Sequence, residues 1–205
     1  MYKQSIAGSI TALVGLFALL AFAPADAAAQ RFVRSDSLRQ IQSVVPMSGP
    51  AGTRISVDSD NLPLAARVHI AVGMLHAGFE TIGMAAQGEW GDITASVQIP
   101  FDASWERPLY VIALDGVFSP MGISDPFHVT NTSGMIRRTG RVTDEGESCM
   151  TFRDENDLLY ALAGELGAFS AGDDVEVDGT YSAAGRCGDA STIGVTRIVA
   201  RNTRR

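Results

Sequence analysis

The sequence predicts an all-β chain, a β-sandwich followed by a small five-stranded barrel. Three observations carry that prediction. Apolar side chains recur at every second position in short runs from residue 54 to residue 200. Gly, Pro, Asn and Asp break the runs, and helical periodicity is almost absent past residue 30. The 205 residues allow one large domain or two small ones, and a composition of 46% hydrophobic and 19% charged residues excludes a disordered acidic chain or a collagen. With two Cys, a disulfide-dense scaffold is excluded as well.

The first element is an address. Lys3 precedes an apolar run from Ile6 to Ala23, Pro24 ends the run, and Ala25-Asp26-Ala27 and Ala27-Ala28-Ala29 both fit a small-residue cleavage pattern. This layout reads as a secretory signal peptide over residues 1–29. Gly8, Ser9, Thr11 and Gly15 weaken the run as a permanent membrane anchor. The expectation is a periplasmic or secreted chain with no stable membrane span after cleavage. Removing residues 1–29 takes away Lys3 and Asp26 together, so the net charge stays at -7. That surplus of acid repels phosphate backbones and disfavours nucleic acid as a partner. The basic end Arg201 to Arg205 reads as a solvated tail.

Residues 34–45 contain Leu38 and Ile41 at helical spacing, and one short helical turn is expected there. The sandwich strands follow. Ile55 and Val57 alternate with Arg54, Ser56 and Asp58; Val68, Ile70 and Val72 with Arg67, His69 and Ala71; Ala95, Val97 and Ile99 with Thr94, Ser96 and Gln98. Residues 109–114 are apolar on both sides, as in a central strand, and Phe127 and Val129 alternate with His128 and Thr130. Such strands need a second sheet to cover their apolar face.

The string Pro46-Met47-Ser48-Gly49-Pro50-Ala51-Gly52-Thr53, with Ile55, Val57 and Asn61-Leu62 after it, resembles the opening of an IPT/TIG-type immunoglobulin-like domain. Further matches are Gly78-Phe79-Glu80, Val97-x-Ile99-Pro100, Tyr110-Val111, Asp115-Gly116 and Ser124-Asp125-Pro126-Phe127-x-Val129, so the resemblance spans residues 41–130. It implies an immunoglobulin-like sandwich acting as a spacer or adhesion domain.

Residues 130–134 are small and polar and read as a linker. Strands are then expected at residues 136–142, 149–152, 158–162, 175–181 and 192–200, with the short non-strand element Leu166-Gly167-Ala168-Phe169 between the third and fourth. Five strands in this length fit an OB-like barrel, whose closure leaves no exposed edge. The strings Gly140-Arg141-Val142, Leu159-Tyr160-x-Leu162-x-Gly164 and Gly172-Asp173-x-Val175-x-Val177-x-Gly179-Thr180, with Cys149 and Cys187, resemble an uncharacterised OB-like module of secreted bacterial proteins over residues 135–201. That resemblance implies a fold and a compartment, with no activity attached.

In an oxidising compartment Cys149 and Cys187 are expected to pair. Closing a loop of about 38 residues would add ~4 kcal/mol, less any strain.

Site chemistry is sparse. His69, His76 and His128 do not form a ligand cluster in sequence, and His69 and His128 fall on the outward side of their strands. No HExxH, CxxC, GxSxG or P-loop string occurs. Asp154-Glu155-Asn156-Asp157 offers oxygen ligands for Ca²⁺ but lacks the Gly and distal Glu of an EF-hand, so it reads as a solvated hairpin tip. Trp105 reads as a packing residue, and Trp90 lies beside a strand in the same segment. Phe152, Tyr160 and Tyr181 sit where a barrel wants core bulk, and Arg137, Arg138, Arg141 and Arg153 are the side chains that could contribute to a ligand platform on one barrel face. The expectation is a non-catalytic binding or structural accessory protein of the cell envelope. Its partner would be an envelope glycan or protein; no catalytic, metal or cofactor residue is assigned. The alternative is a secreted hydrolase of envelope polysaccharide, with a carboxylate pair across the domain junction.

Overall fold

The structure, a computed structural model, describes residues 38–74, 77–146, 149–185 and 190–201. The expected signal peptide over residues 1–29, His76 and Cys187 lie outside the described residues. Those described belong to one compact unit, Ser35–Arg205. All regular structure among them is strand.

Two sheets make the N-terminal half. β1 (Arg39–Ile41), β9 (Pro120–Thr130), β8 (Pro108–Leu114), β5 (Val68–Gly73) and β6 (Phe79–Ala85) lie side by side in that order, and β3 (Ser48–Pro50) pairs with the far end of β9. The second sheet is β2 (Ser43–Val45), β4 (Arg54–Ser59) and β7 (Ile93–Gln98). The alternation read in the sequence is the burial pattern: β7 runs buried-exposed through all six residues, and Ile55 and Val57 of β4 are inside. Ile55, Val57, Ile70, Ile99, Val111 and Phe127 form one apolar cluster between the sheets.

The helical turn expected within 34–45 is not formed in its described part. Residues Arg39–Ile41 pair parallel to β9, and Ser43–Val45 pair antiparallel to β4. The chain crosses from one sheet to the other at Gln42, so Ile41 and Val44 enter the same core from opposite sheets. Three-residue spacing therefore reflects a strand switching sheets. The strand read at residues 127–130 begins much earlier, at Pro120, and tolerates Pro126 where the ladder with β8 shifts register past Tyr110.

The C-terminal half is a closed barrel in the order β10 (Met135–Thr143), β11 (Thr151–Asp154), β12 (Leu159–Ala163), β14 (Ser191–Ala200), β13 (Asp174–Ser182), with β13 returning to β10. β12 and β14 are parallel and the other pairs antiparallel. This is the five-stranded barrel the spacing predicts. Ile136, Val142, Phe152, Tyr160, Val175, Val177 and Ile193 fill it. Gly140 lets β10 press on β11: a Cβ there would sit 2.1 Å from the Arg153 carbonyl oxygen.

The segment expected as a linker is a tight turn. Asn131 Oδ1 accepts the Ser133 and Met135 amides at 2.9 and 3.0 Å, the Asn131 amide donates to the Met135 carbonyl at 2.8 Å, and Gly134 takes a left-handed φ of 77°. β10 therefore starts against the sandwich.

Candidate functional site

Two polar sites emerge, one buried and one open. The buried one lies where the barrel meets β9. Ile136, Arg138, Gly140 and Val142 alternate to one side of β10, which puts the Arg138 side chain inside, fully buried. Its guanidinium donates to the Trp105 carbonyl at 2.9 Å and to the Arg137 carbonyl at 2.6 Å, and a third N–H meets His128 Nδ1 at 3.0 Å. Arg138 Nε finds no acceptor; the Asp154 Oδ2 atom stands 3.9 Å away. The His128 ring stacks on Tyr181 at 3.8 Å and meets the edge of Tyr160 at 5.8 Å.

The expectation that His128 faces outward is thus corrected. It does point away from the sandwich core, but the barrel covers that face and leaves it 1% exposed. Burial first, and the Arg138 charge second, push its pKa down to about 3. The imidazole is neutral, and Nδ1 accepts from the guanidinium. Burial likewise pushes the Tyr160 hydroxyl up. Arg138, His128 and Tyr160 are fully enclosed, so the cluster ties the barrel to the sandwich. His69 behaves differently: it is half-buried and stacks on Phe118 at 4.7 Å.

The open site is a trough of about 360 Å³ on the barrel wall, lined by Gly140, Arg141, Thr143, Arg153, Asp154, Glu155, Asp174 and Arg201. A second depression containing Phe169 and Gly172 shares Asp174 and Arg201 with it. β10, β11 and β13 supply the walls. Each arginine is held by a carboxylate: Arg141 forks onto Asp174 at 2.9 and 3.3 Å, Arg153 bonds Glu145 and, at 3.0 Å, Asp157, and Arg201 bonds Glu155. These hydrogen bonds hold the Glu145, Glu155 and Asp174 carboxyls below their usual range. The result is a surface of alternating sign whose guanidinium and carboxylate groups suit polar, hydroxyl-rich ligands.

The four arginines expected to form one platform are therefore divided. Arg141 and Arg153 line the trough. Arg138 is the buried strut, contradicting an open role. Arg137 lies elsewhere, bidentate on Asp178 at 2.7 and 3.0 Å, with its guanidinium 4.6 Å above the Trp105 ring. Phe152 and Tyr160 are barrel core and Tyr181 packs against them, as their positions in the sequence lead one to expect. Trp105 packs against the sandwich core as expected, and Trp90 is exposed.

Arg201 is the trough residue that sequence reasoning missed. Its position one step past β14 was the available signal, obscured by its place in a basic tail. The 154–157 loop spends its oxygens internally: Asp154 Oδ1 accepts the Asn156 and Leu158 amides at 2.8 and 2.9 Å, and no His, Cys, Asp and Glu cluster suited to a metal occurs among the described residues. Arg137 and then Arg197 hold the Asp178 carboxyl below its usual range as well, by hydrogen bonds. Cys149 is not a free thiol. No helix among the described residues is long and apolar enough to cross a membrane. No protein-family model matches this chain, and no curated protein matches it in sequence.

Proposed function

We propose that this chain is an exported, non-catalytic accessory protein of the cell envelope that holds a polar ligand, an envelope glycan, in the barrel trough. The observation behind this reading is the row Arg141, Arg153 and Arg201, each fixed by its own carboxylate along one open groove, with Phe169 in the adjoining depression. Preset guanidinium groups lose little freedom on accepting sugar hydroxyls, and an aromatic ring at the edge offers an apolar sugar face somewhere to stack. The N-terminal signal pattern and the expected pairing of Cys149 with Cys187 support a location outside the cytosol, with the sandwich as spacer.

Solubilised envelope glycan fragments titrated into the full chain are expected to bind. Replacing Arg153 and Arg201 together by Ala should weaken binding about tenfold, in line with the loss of one or two charge-assisted bonds. Arg137→Ala, away from the trough, should leave binding unchanged. Undiminished binding by the double variant places the ligand elsewhere. When the full chain is unfolded without reductant, a thiol reagent should label no cysteine; two labelled cysteines remove the export argument.

A further inference from the structure

The sandwich carries a second surface, at the end where β4 leads to β5, β6 to β7 and β8 to β9. Six of the nine large apolar side chains exposed among the described residues are at this end: Leu38, Leu64, Met84, Trp90, Val117 and Phe118. Leu64, Trp90 and Val117 are 72%, 82% and 78% exposed. Single exposed apolar residues are ordinary, but a group at one end marks a surface that meets a protein or a membrane.

The loops bearing them are tied together, so the group is a built surface. The Leu62 amide donates to the Gly91 carbonyl at 3.1 Å, and the Gln87 side chain bridges the Ala65 amide and the Pro63 carbonyl at 2.8 and 3.0 Å. Gly91, at φ 82°, allows that contact, since a Cβ would fall 2.1 Å from the Leu62 carbonyl oxygen. Phe118 lies on His69, whose strand neighbours are Met84 and Leu114. Asp115 Oδ1 accepts the Val117 and Ser119 amides, fixing the hairpin tip.

The chain enters the fold at this same end: Arg39 pairs with Gly122, two residues from the start of β9, directly beside the Val117–Phe118 hairpin. The apolar run Ile6–Ala23 therefore joins the body at its apolar end, through residues 24–37. Fully extended, those residues reach at most ~50 Å. We propose that this end of the sandwich is a lipid-facing surface that rests on the membrane to which the Ile6–Ala23 run delivers the chain. The surface is made of loop tips, and Trp90 is the most exposed of its side chains, which suits entry of the indole into a headgroup layer. Its exposed charges are Asp60, Glu89 and Asp92 against Arg39 and Arg67, without the basic excess that an anionic headgroup calls for, so the lipid is zwitterionic. This rests on the envelope reading given for the barrel.

The test uses the full chain in phosphatidylcholine vesicles whose acyl chains carry bromine, a short-range fluorescence quencher. The chain has two tryptophans, Trp90 at the apolar end and Trp105 beside the barrel. Seating the indole at the interface should quench Trp90 emission about twofold. Trp90→Phe, a change at an exposed position, should abolish the quenching and leave Trp105 emission unaltered by bromine. Absent quenching, equal quenching of both rings, or a concentration-dependent shielding of Trp90 without lipid would overturn the proposal, the last in favour of a second copy. Failure of glycan binding at the trough leaves this readout untouched, so the two readings fail separately.

Discussion

His128 sets the pH response of the junction. Its neighbours there are Arg138 from β10, Tyr160 from β12 and Tyr181 from β13, with Asp154 beyond the guanidinium. Protonation would place an imidazolium against an arginine with no water to separate them. The folded-state pKa of about 3 lies below the ordinary 6.5, so the unfolded chain binds the proton more readily. Stability from this group is complete above pH 6.5 and is lost as pH falls toward 3. Between pH 6.5 and 5 the loss is about 1.5–2 kcal/mol. In His128→Asn the amide oxygen takes the place of Nδ1 as acceptor for Arg138, without a titrating ring. Urea unfolding at stepped pH should show a steeper decline for the wild type than for the variant in that interval. Parallel curves would mean the folded imidazole titrates normally. Below pH 4 both proteins should weaken together. Asp178, held down by hydrogen bonds from Arg137 and then from Arg197, loses its ion pairs there.

At the level of elements, most strands were legible and most contacts were not. β4, β5 and β7 alternate because one side meets the core and the other meets water, and that two-residue period is written directly in residue type. The signal fails wherever a strand has no wet side. β9 buries Phe127, His128 and Val129 in succession, so alternation assigned His128 to solvent when the covering surface was another part of the same chain. It fails again at Gln42, where the chain changes sheets and Ile41 and Val44 share a core at helical spacing. For the trough, residue type revealed Arg141 and Arg153 as candidates, but not that barrel closure brings Arg201 beside them from more than forty positions away. Arg138 and Arg141 look alike in sequence. The pleat of β10 turns one inward and the other outward, and only the register with β11 and β13 separates a strut from a ligand contact.

For the whole molecule, Arg138 determines whether sandwich and barrel unfold as one. Each half has its own apolar cluster, and a short turn joins them, so neither core requires the other. Coupling depends on what crosses the junction. Arg138 is rooted in the barrel strand β10 but spends two of its hydrogen bonds on sandwich groups, the Trp105 carbonyl and His128. Its Nε without an acceptor costs about 1–3 kcal/mol, which the barrel core alone would not retain an arginine to bear. Arg138→Met keeps the stem and removes the charged donors: His128 Nδ1 loses its guanidinium donor, and the Trp105 carbonyl keeps the Arg137 amide at 3.2 Å. The expected loss is on the order of 3 kcal/mol, with its main effect on cooperativity. Scanning calorimetry of the wild type should give one transition whose van't Hoff and calorimetric enthalpies agree. The variant should give two transitions, or one with a van't Hoff enthalpy well below the calorimetric value. A single, merely shifted two-state transition in Arg138→Met would assign the coupling to the Tyr181–His128 stack and the Arg137–Trp105 contact instead.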